Sequence, residues 1–220
     1  ENMKEITAVI FDMDGVLIDS QPLHYMADVE SMKKYGVYKE QEFYEKYAGT
    51  TTPDRMRALN ELFKLNADVD EMVAVREQMI LDIMKKEEIS PVRGIPELLK
   101  SIKSKGMTTA VASSSGYELI NMVLEKLGIA QYFDCITSGI DVKYGKPAPD
   151  VFLLAAERIN KSPEECVVVE DSENGVNAAV AAGMKSVGYI NPTSGKQCLD
   201  KANIVIDDFR KIDADVIYKL

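Results

Sequence analysis

The chain has 220 residues, and 26 Lys plus Arg against 36 Asp plus Glu leave a formal net charge of −10, which repels polyanions and excludes nucleic acid as an expected partner. A hydrophobic content of 46% with 28% charged residues is that of a water-soluble globular chain, and no apolar run approaches the roughly 20 residues that a membrane helix needs. One histidine, His24, leaves relays of several imidazoles without material, so acid–base chemistry falls to carboxylates. The three cysteines, Cys135, Cys166 and Cys198, are odd in number, far apart and without CxxC spacing; they read as buried free thiols in a reducing cytoplasm, with neither a disulfide framework nor a thiolate zinc site. A monomer with no membrane partner is expected.

A short apolar run at residues 7–11 opens the predicted elements, and it ends in Asp12-Met13-Asp14-Gly15-Val16-Leu17. Two acids one residue apart on an extended segment point the same way. At a few ångströms they repel by about 4 kcal/mol at an effective dielectric near 20, so a cation or a proton must accompany them.

Residues 20–90 carry only helical patterns. The longest covers 68–88, with Met72, Val73, Val75, Met79, Ile80 and Ile83 on its apolar stripe, and Ser90-Pro91 with Gly94 marks the exit. From there, strand-length apolar runs at 108–112, 133–137, 166–169, 186–190 and 203–206 alternate with helices. Pro96 begins one helix and Gly106 ends it; Ser115 and Glu118 form a capping box for the next, and Gly128 stops it. Near-continuous apolar strands between helices define an α/β fold, a doubly wound, Rossmann-like parallel sheet, with an all-helical domain inserted after the first strand. The expected division is a core of 1–19 and 91–220 and an insertion of 20–90.

Three further motifs follow strands. Ala112-Ser113-Ser114-Ser115-Gly116 puts hydroxyls and free amides at a helix start, which suits a phosphate or serves as a plain cap. Gly145-Lys146-Pro147-Ala148-Pro149-Asp150 fixes Lys146 between two prolines. Glu170-Asp171 closes a buried strand, where adjacent acids are costly without a cation. Ligands of open α/β sheets bind at the carboxyl ends of strands, where all four motifs fall, and hard oxygen donors without His or Cys suit Mg²⁺.

These four motifs, in this order and over nearly the whole chain, resemble those of the haloacid dehalogenase superfamily of phosphotransferases. The helical insertion is similar to the cap of the branch that contains β-phosphoglucomutase and many sugar-phosphate phosphatases. The resemblance implies Asp12 as nucleophile forming an aspartyl phosphate, Asp14 as general acid and base, and Ser113 and Lys146 as catalytic residues that hold the transferring phosphoryl group. It implies Mg²⁺ held by Asp12, Asp14 (through its backbone carbonyl), Glu170 and Asp171, and substrate contacts from Gly15, His24, Thr52, Arg76 and Ser114. A phosphatase acting on a small phosphorylated metabolite, a sugar phosphate foremost, is the first expectation, and a phosphomutase the second. By spacing from Gly49, Thr52 stands where the mutase has the Arg that grips a second phosphate, although Arg55 or Arg57 could replace it from the following helix, and Arg76 lies near where the mutase has a cap Lys. A non-catalytic binding protein on this scaffold would lack Asp12, Asp14 or Lys146, and none is missing.

Overall fold

The structure, a computed structural model, describes residues 5–47 and 50–220. It divides into two compact units, Glu1–Asp19 with Ile89–Leu220, and Ser20–Glu88, so Ile89 and Ser90 go with the first unit.

In the first unit, β1 (Ala8–Phe11), β2 (Thr108–Ser113), β3 (Cys135–Ser138), β4 (Cys166–Glu170), β5 (Lys185–Tyr189) and β6 (Ile204–Ile206) make one six-stranded sheet in the order β3-β2-β1-β4-β5-β6. Every pairing is parallel, giving the doubly wound α/β architecture. The central strand β1 is apolar throughout because helices cover both faces: Ala8, Val9, Ile10 and Phe11 are all fully buried. On one face, small residues (Ala8, Ala110, Ala112) let α7 (Asp150–Arg158) and α8 (Glu173–Ala181) seat Phe152, Ala155, Ala178 and Ala179 against the sheet.

Register places the site. Phe11 pairs with Val111 on one side and Val169 on the other, so the next residues, Asp12, Ala112 and Glu170, come out side by side at the sheet's carboxyl edge. The Asp12 amide continues the ladder to Val169 O at 3.0 Å.

Two expectations are corrected. Helix α6 (Tyr117–Lys126) starts from Gly116 with no side-chain cap, because Ser115 is turned away: its amide donates to Ser113 Oγ at 3.1 Å and its hydroxyl to Asp14 Oδ2 at 3.3 Å. The cysteines are free, but Cys166 alone is fully buried; Cys135 is half-buried in β3, and Cys198 is exposed in the loop between β5 and β6.

The second unit holds α1 (Gln21–Lys33), α2 (Gln41–Glu45), α3 (Thr52–Phe63) and α4 (Val69–Lys86), and no strand among its described residues. Thr51 caps α3 through the Asp54 amide, and Asp68 caps α4 through the amides of Asp70 and Glu71. The helices close on Met32, Tyr44, Met56, Leu59 and Met72, all fully buried.

Candidate active site

The turn after β1 is set by glycine. Amides of Val16, Leu17 and Ile18 converge on Met13 O, and Gly15 N donates to Ile18 O at 2.8 Å. Gly15 takes φ +81°, and a Cβ there would lie 2.0 Å from Asp171 Oδ2. Gly15 therefore makes room for Asp171, a role distinct from the substrate contact that the resemblance implies.

At the sheet edge, Lys146 Nζ sits 3.0 Å from Asp12 Oδ1, 2.7 Å from Glu170 Oε1 and 3.3 Å from Ala112 O, 4.8 Å over the Phe152 ring. The other Glu170 oxygen accepts from the amides of Asp171 and Ser172 and from the Ser172 hydroxyl, at 3.1, 3.3 and 3.2 Å. Asp171 Oδ2 accepts from the Ser194 hydroxyl.

Asp12, Glu170 and Asp171 are buried and each offers one oxygen within 4.8 Å of the others. One ammonium thus faces three carboxylates. Burial pushes Asp12 well above the usual carboxylate range, Glu170 adds to the rise, and Lys146 opposes it. Burial and then Glu170 push Asp171 up to about 7. Burial works against the charged form of Lys146, yet Asp12 and Glu170 outweigh it and hold the ammonium above its ordinary range. A cluster of hard oxygen donors with this charge deficit fits a divalent cation.

The remaining predicted residues divide by unit. Ser113 ends β2 fully buried, Ser114 beside it is exposed, and half-buried Asp14 turns its carboxylate toward Ser115. In the helical unit Arg76 is not a free cation: the residue is 2% exposed, with Nε 3.0 Å from Asp28 Oδ1 and one terminal nitrogen 3.0 Å from His24 Nδ1. Arg55 takes the other Asp28 oxygen at 2.5 Å and holds Thr50 O at 3.1 Å, while exposed Arg57 pairs with Asp54 at 2.7 Å. Thr52 begins α3 half-buried; Gly49, the reference for its expected role, lies outside the described residues.

Sequence reading missed Gly175, Asp28, Asn191 and Ser194. Asn191-Pro192-Thr193-Ser194-Gly195 carried one signal, turn residues just beyond a strand's carboxyl end. Asp28 carried none, since a lone acid in a helix reads as surface.

A parallel sheet that gathers carboxylates and one lysine at its carboxyl edge, with a helical insertion after the first strand, is the architecture of a phosphoryl-transfer hydrolase, and the family model "Haloacid dehalogenase-like hydrolase" matches residues 9–189. The chain belongs to the haloacid dehalogenase-like hydrolase family. It is 32% identical over 202 residues to the phosphorylated carbohydrates phosphatase of Thermotoga maritima, covering 90% of this chain and 92% of that one. It is 35% identical over 181 residues to the fructose-1-phosphate phosphatase of Escherichia coli, covering 81% and 94%. Among solved structures, β-phosphoglucomutase of Clostridium difficile superposes with a TM-score of 0.82 at 29% identity, over 97% of this chain and 96% of that one.

Proposed function

We propose that this protein is a Mg²⁺-dependent phosphatase that hydrolyses small phosphate monoesters, sugar phosphates foremost, through an aspartyl phosphate on Asp12. The observation that carries the reading is the Asp12 carboxylate held at the end of β1 by Lys146, beside Glu170 and Asp171. Asp12 Oδ attacks phosphorus; the new O–P bond forms as the ester P–O bond breaks, and Asp14 gives its proton to the departing oxygen. Asp14 then takes a proton from the water that attacks the phosphoenzyme, and Asp12 is released with inorganic phosphate. Lys146 and Ser113, with Ser114 beside it, hold the phosphoryl oxygens, and Lys146 balances charge that builds on them. Asp12, the Asp14 carbonyl, Glu170 and Asp171 would hold Mg²⁺, which supplies charge neutralisation between an anionic nucleophile and an anionic ester.

The printed activities of the two phosphatase relatives support a phosphorylated carbohydrate as substrate. The mutase neighbour keeps phosphomutase as the second reading. Hydrolysis is favoured because Arg55, one of the two arginines that could replace a second-phosphate clamp, is committed together with Arg76 to buried Asp28, and the other, Arg57, pairs with Asp54. In this reading Ser20–Glu88 is the cap, and His24, Thr52 and Arg76 belong to the part that selects the leaving group. A monomer in the cytoplasm completes the proposal; free cysteines and the absence, among described residues, of a helix long and apolar enough to cross a membrane accord with that compartment.

The test is phosphate release with and without Mg²⁺ across sugar and nucleoside phosphates, run beside conversion of β-glucose 1-phosphate to glucose 6-phosphate with a bisphosphate activator. Metal-dependent hydrolysis that Asp12→Asn abolishes is expected. Isomerisation faster than hydrolysis would replace the phosphatase with the mutase.

A further inference from the structure

The segment leaving β5 makes three side-chain bonds to the acid-bearing loops. Asn191 is 6% exposed, and its Nδ2 donates to Gly15 O at 3.0 Å. Its Oδ1 accepts from the Thr193 amide at 3.0 Å, so the side-chain amide is oriented with its donor toward Gly15. Thr193 Oγ1 also donates to Asp19 Oδ1. Ser194, 9% exposed, donates its hydroxyl to Asp171 Oδ2, and its amide closes the turn onto Asn191 O at 3.1 Å. Asp171 Oδ2 in turn occupies the space above Gly15, where a Cβ would come within 2.0 Å. Gly15, Asp171, Ser194 and Asn191 thus form a closed ring of contacts around one carboxylate.

We propose that Asn191 and Ser194 are positioning residues for the metal site: Ser194 fixes the rotation of the Asp171 carboxylate, and Asn191 fixes the turn that carries Asp12 and the Asp14 carbonyl. This rests on reading Asp12, Glu170 and Asp171 as a divalent-cation site. A carboxylate free to rotate must be ordered when the ion binds, whereas one already held by a hydroxyl is not, so the ring raises affinity without contributing a ligand. Gly15 O is anchored from the segment after β5, far along the chain, which keeps the turn from relaxing when the acids repel. Neither residue touches substrate in this account.

The experiment is calorimetric titration of the whole, substrate-free protein with Mg²⁺. Ser194→Ala and Asn191→Ala are each expected to weaken Mg²⁺ binding by about tenfold or more, the usual range for an outer partner of a metal ligand, and Ser194→Thr, which keeps the hydroxyl, to stay within about threefold of wild type. In phosphatase assays the alanine variants should need correspondingly more Mg²⁺ for half-maximal rate, with a smaller change in kcat at saturating metal. If either alanine variant does not fold, Ser194→Cys, which keeps the shape and donates weakly, carries the same expectation. Wild-type Mg²⁺ affinity in folded Ser194→Ala and Asn191→Ala overturns this inference alone. A wild-type protein that binds no divalent cation overturns the metal reading on which it rests.

Discussion

The Glu170 carboxylate lies in the space that Gly175 leaves empty: a Cβ on Gly175 would stand 1.9 Å from Glu170 Cδ and 2.1 and 2.3 Å from its two oxygens. The first turn of α8 is thereby pressed onto the acid, so that Asp171 N and Ser172 N can donate to one oxygen while Lys146 takes the other. An ordinary helical position has become a steric requirement of the site.

Gly175→Ala should therefore displace Glu170 rather than improve the helix. Overpacking of this kind costs about 1–3 kcal/mol in stability. Turnover is expected to fall about 100-fold or more and Mg²⁺ affinity to drop with it. Steady-state kinetics with urea unfolding checks this; an active variant more stable than wild type would show that α8 can shift away.

Asp28→Asn tests the buried ion cluster of the helical unit. Asp28 is fully buried and is the shared carboxylate of Arg55 and Arg76, which are 7% and 2% exposed. Loss of its charge leaves two buried guanidiniums facing each other, and breaking a buried pair in this way costs about 3–5 kcal/mol. Denaturant unfolding should show that loss, and a change under about 1 kcal/mol would mean that water reaches the cluster.

His24 should hold its proton on Nε2. An Arg76 terminal nitrogen, which can only donate, lies 3.0 Å from His24 Nδ1, so Nδ1 must accept. Because the chain has one His, its imidazole ¹⁵N spectrum has one set of signals to assign. A neutral Nε2–H ring in wild type and a redistributed tautomer in Arg76→Met are expected; an Nδ1–H ring in wild type would refute the contact.

Stabilisation by Mg²⁺ should grow with pH. Asp12 and Asp171 are raised above their unfolded values, Asp171 to about 7, chiefly by burial. A raised folded pKa gives the metal-free protein a contribution that is complete below the unfolded value near 3.8 and lost as pH climbs through about 7. A bound divalent cation replaces the protons, so the rise in Tm on adding Mg²⁺ should be small near pH 5 and larger near pH 8. A pH-independent rise would place the ion elsewhere.

Three of the four motifs were legible because they close a strand-length apolar run, and the Lys146 motif because it follows one in the loop beyond β3; strand ends in an α/β sheet have one functional edge. Asp12, Lys146, Glu170 and Asp171 could be grouped on that ground alone. Ser115 was misread because a Ser-x-x-Glu pattern has the spacing of a cap whether or not its hydroxyl is drawn elsewhere; Asp14, 101 residues away in sequence, draws it. The burial of Arg76 against an acid was not legible, because helical spacing does not show which partner a guanidinium meets. Its buried partner, Asp28, is 48 residues away.

By itself, the sequence determined the alternation of strands and helices, the insertion after the first strand and the acidic, lysine-bearing make-up of the sheet's carboxyl edge, since these follow from local periodicity and residue type. Tertiary structure decided how charge is shared there. Lys146 reaches Asp12 across 134 residues and Asn191 reaches Gly15 across 176, while Gly15 and Gly175 matter only for the carboxylates that fill their missing side chains. Contacts of that kind depend on sheet register and backbone approach at the scale of a single atom, and neither leaves a periodic trace in the chain.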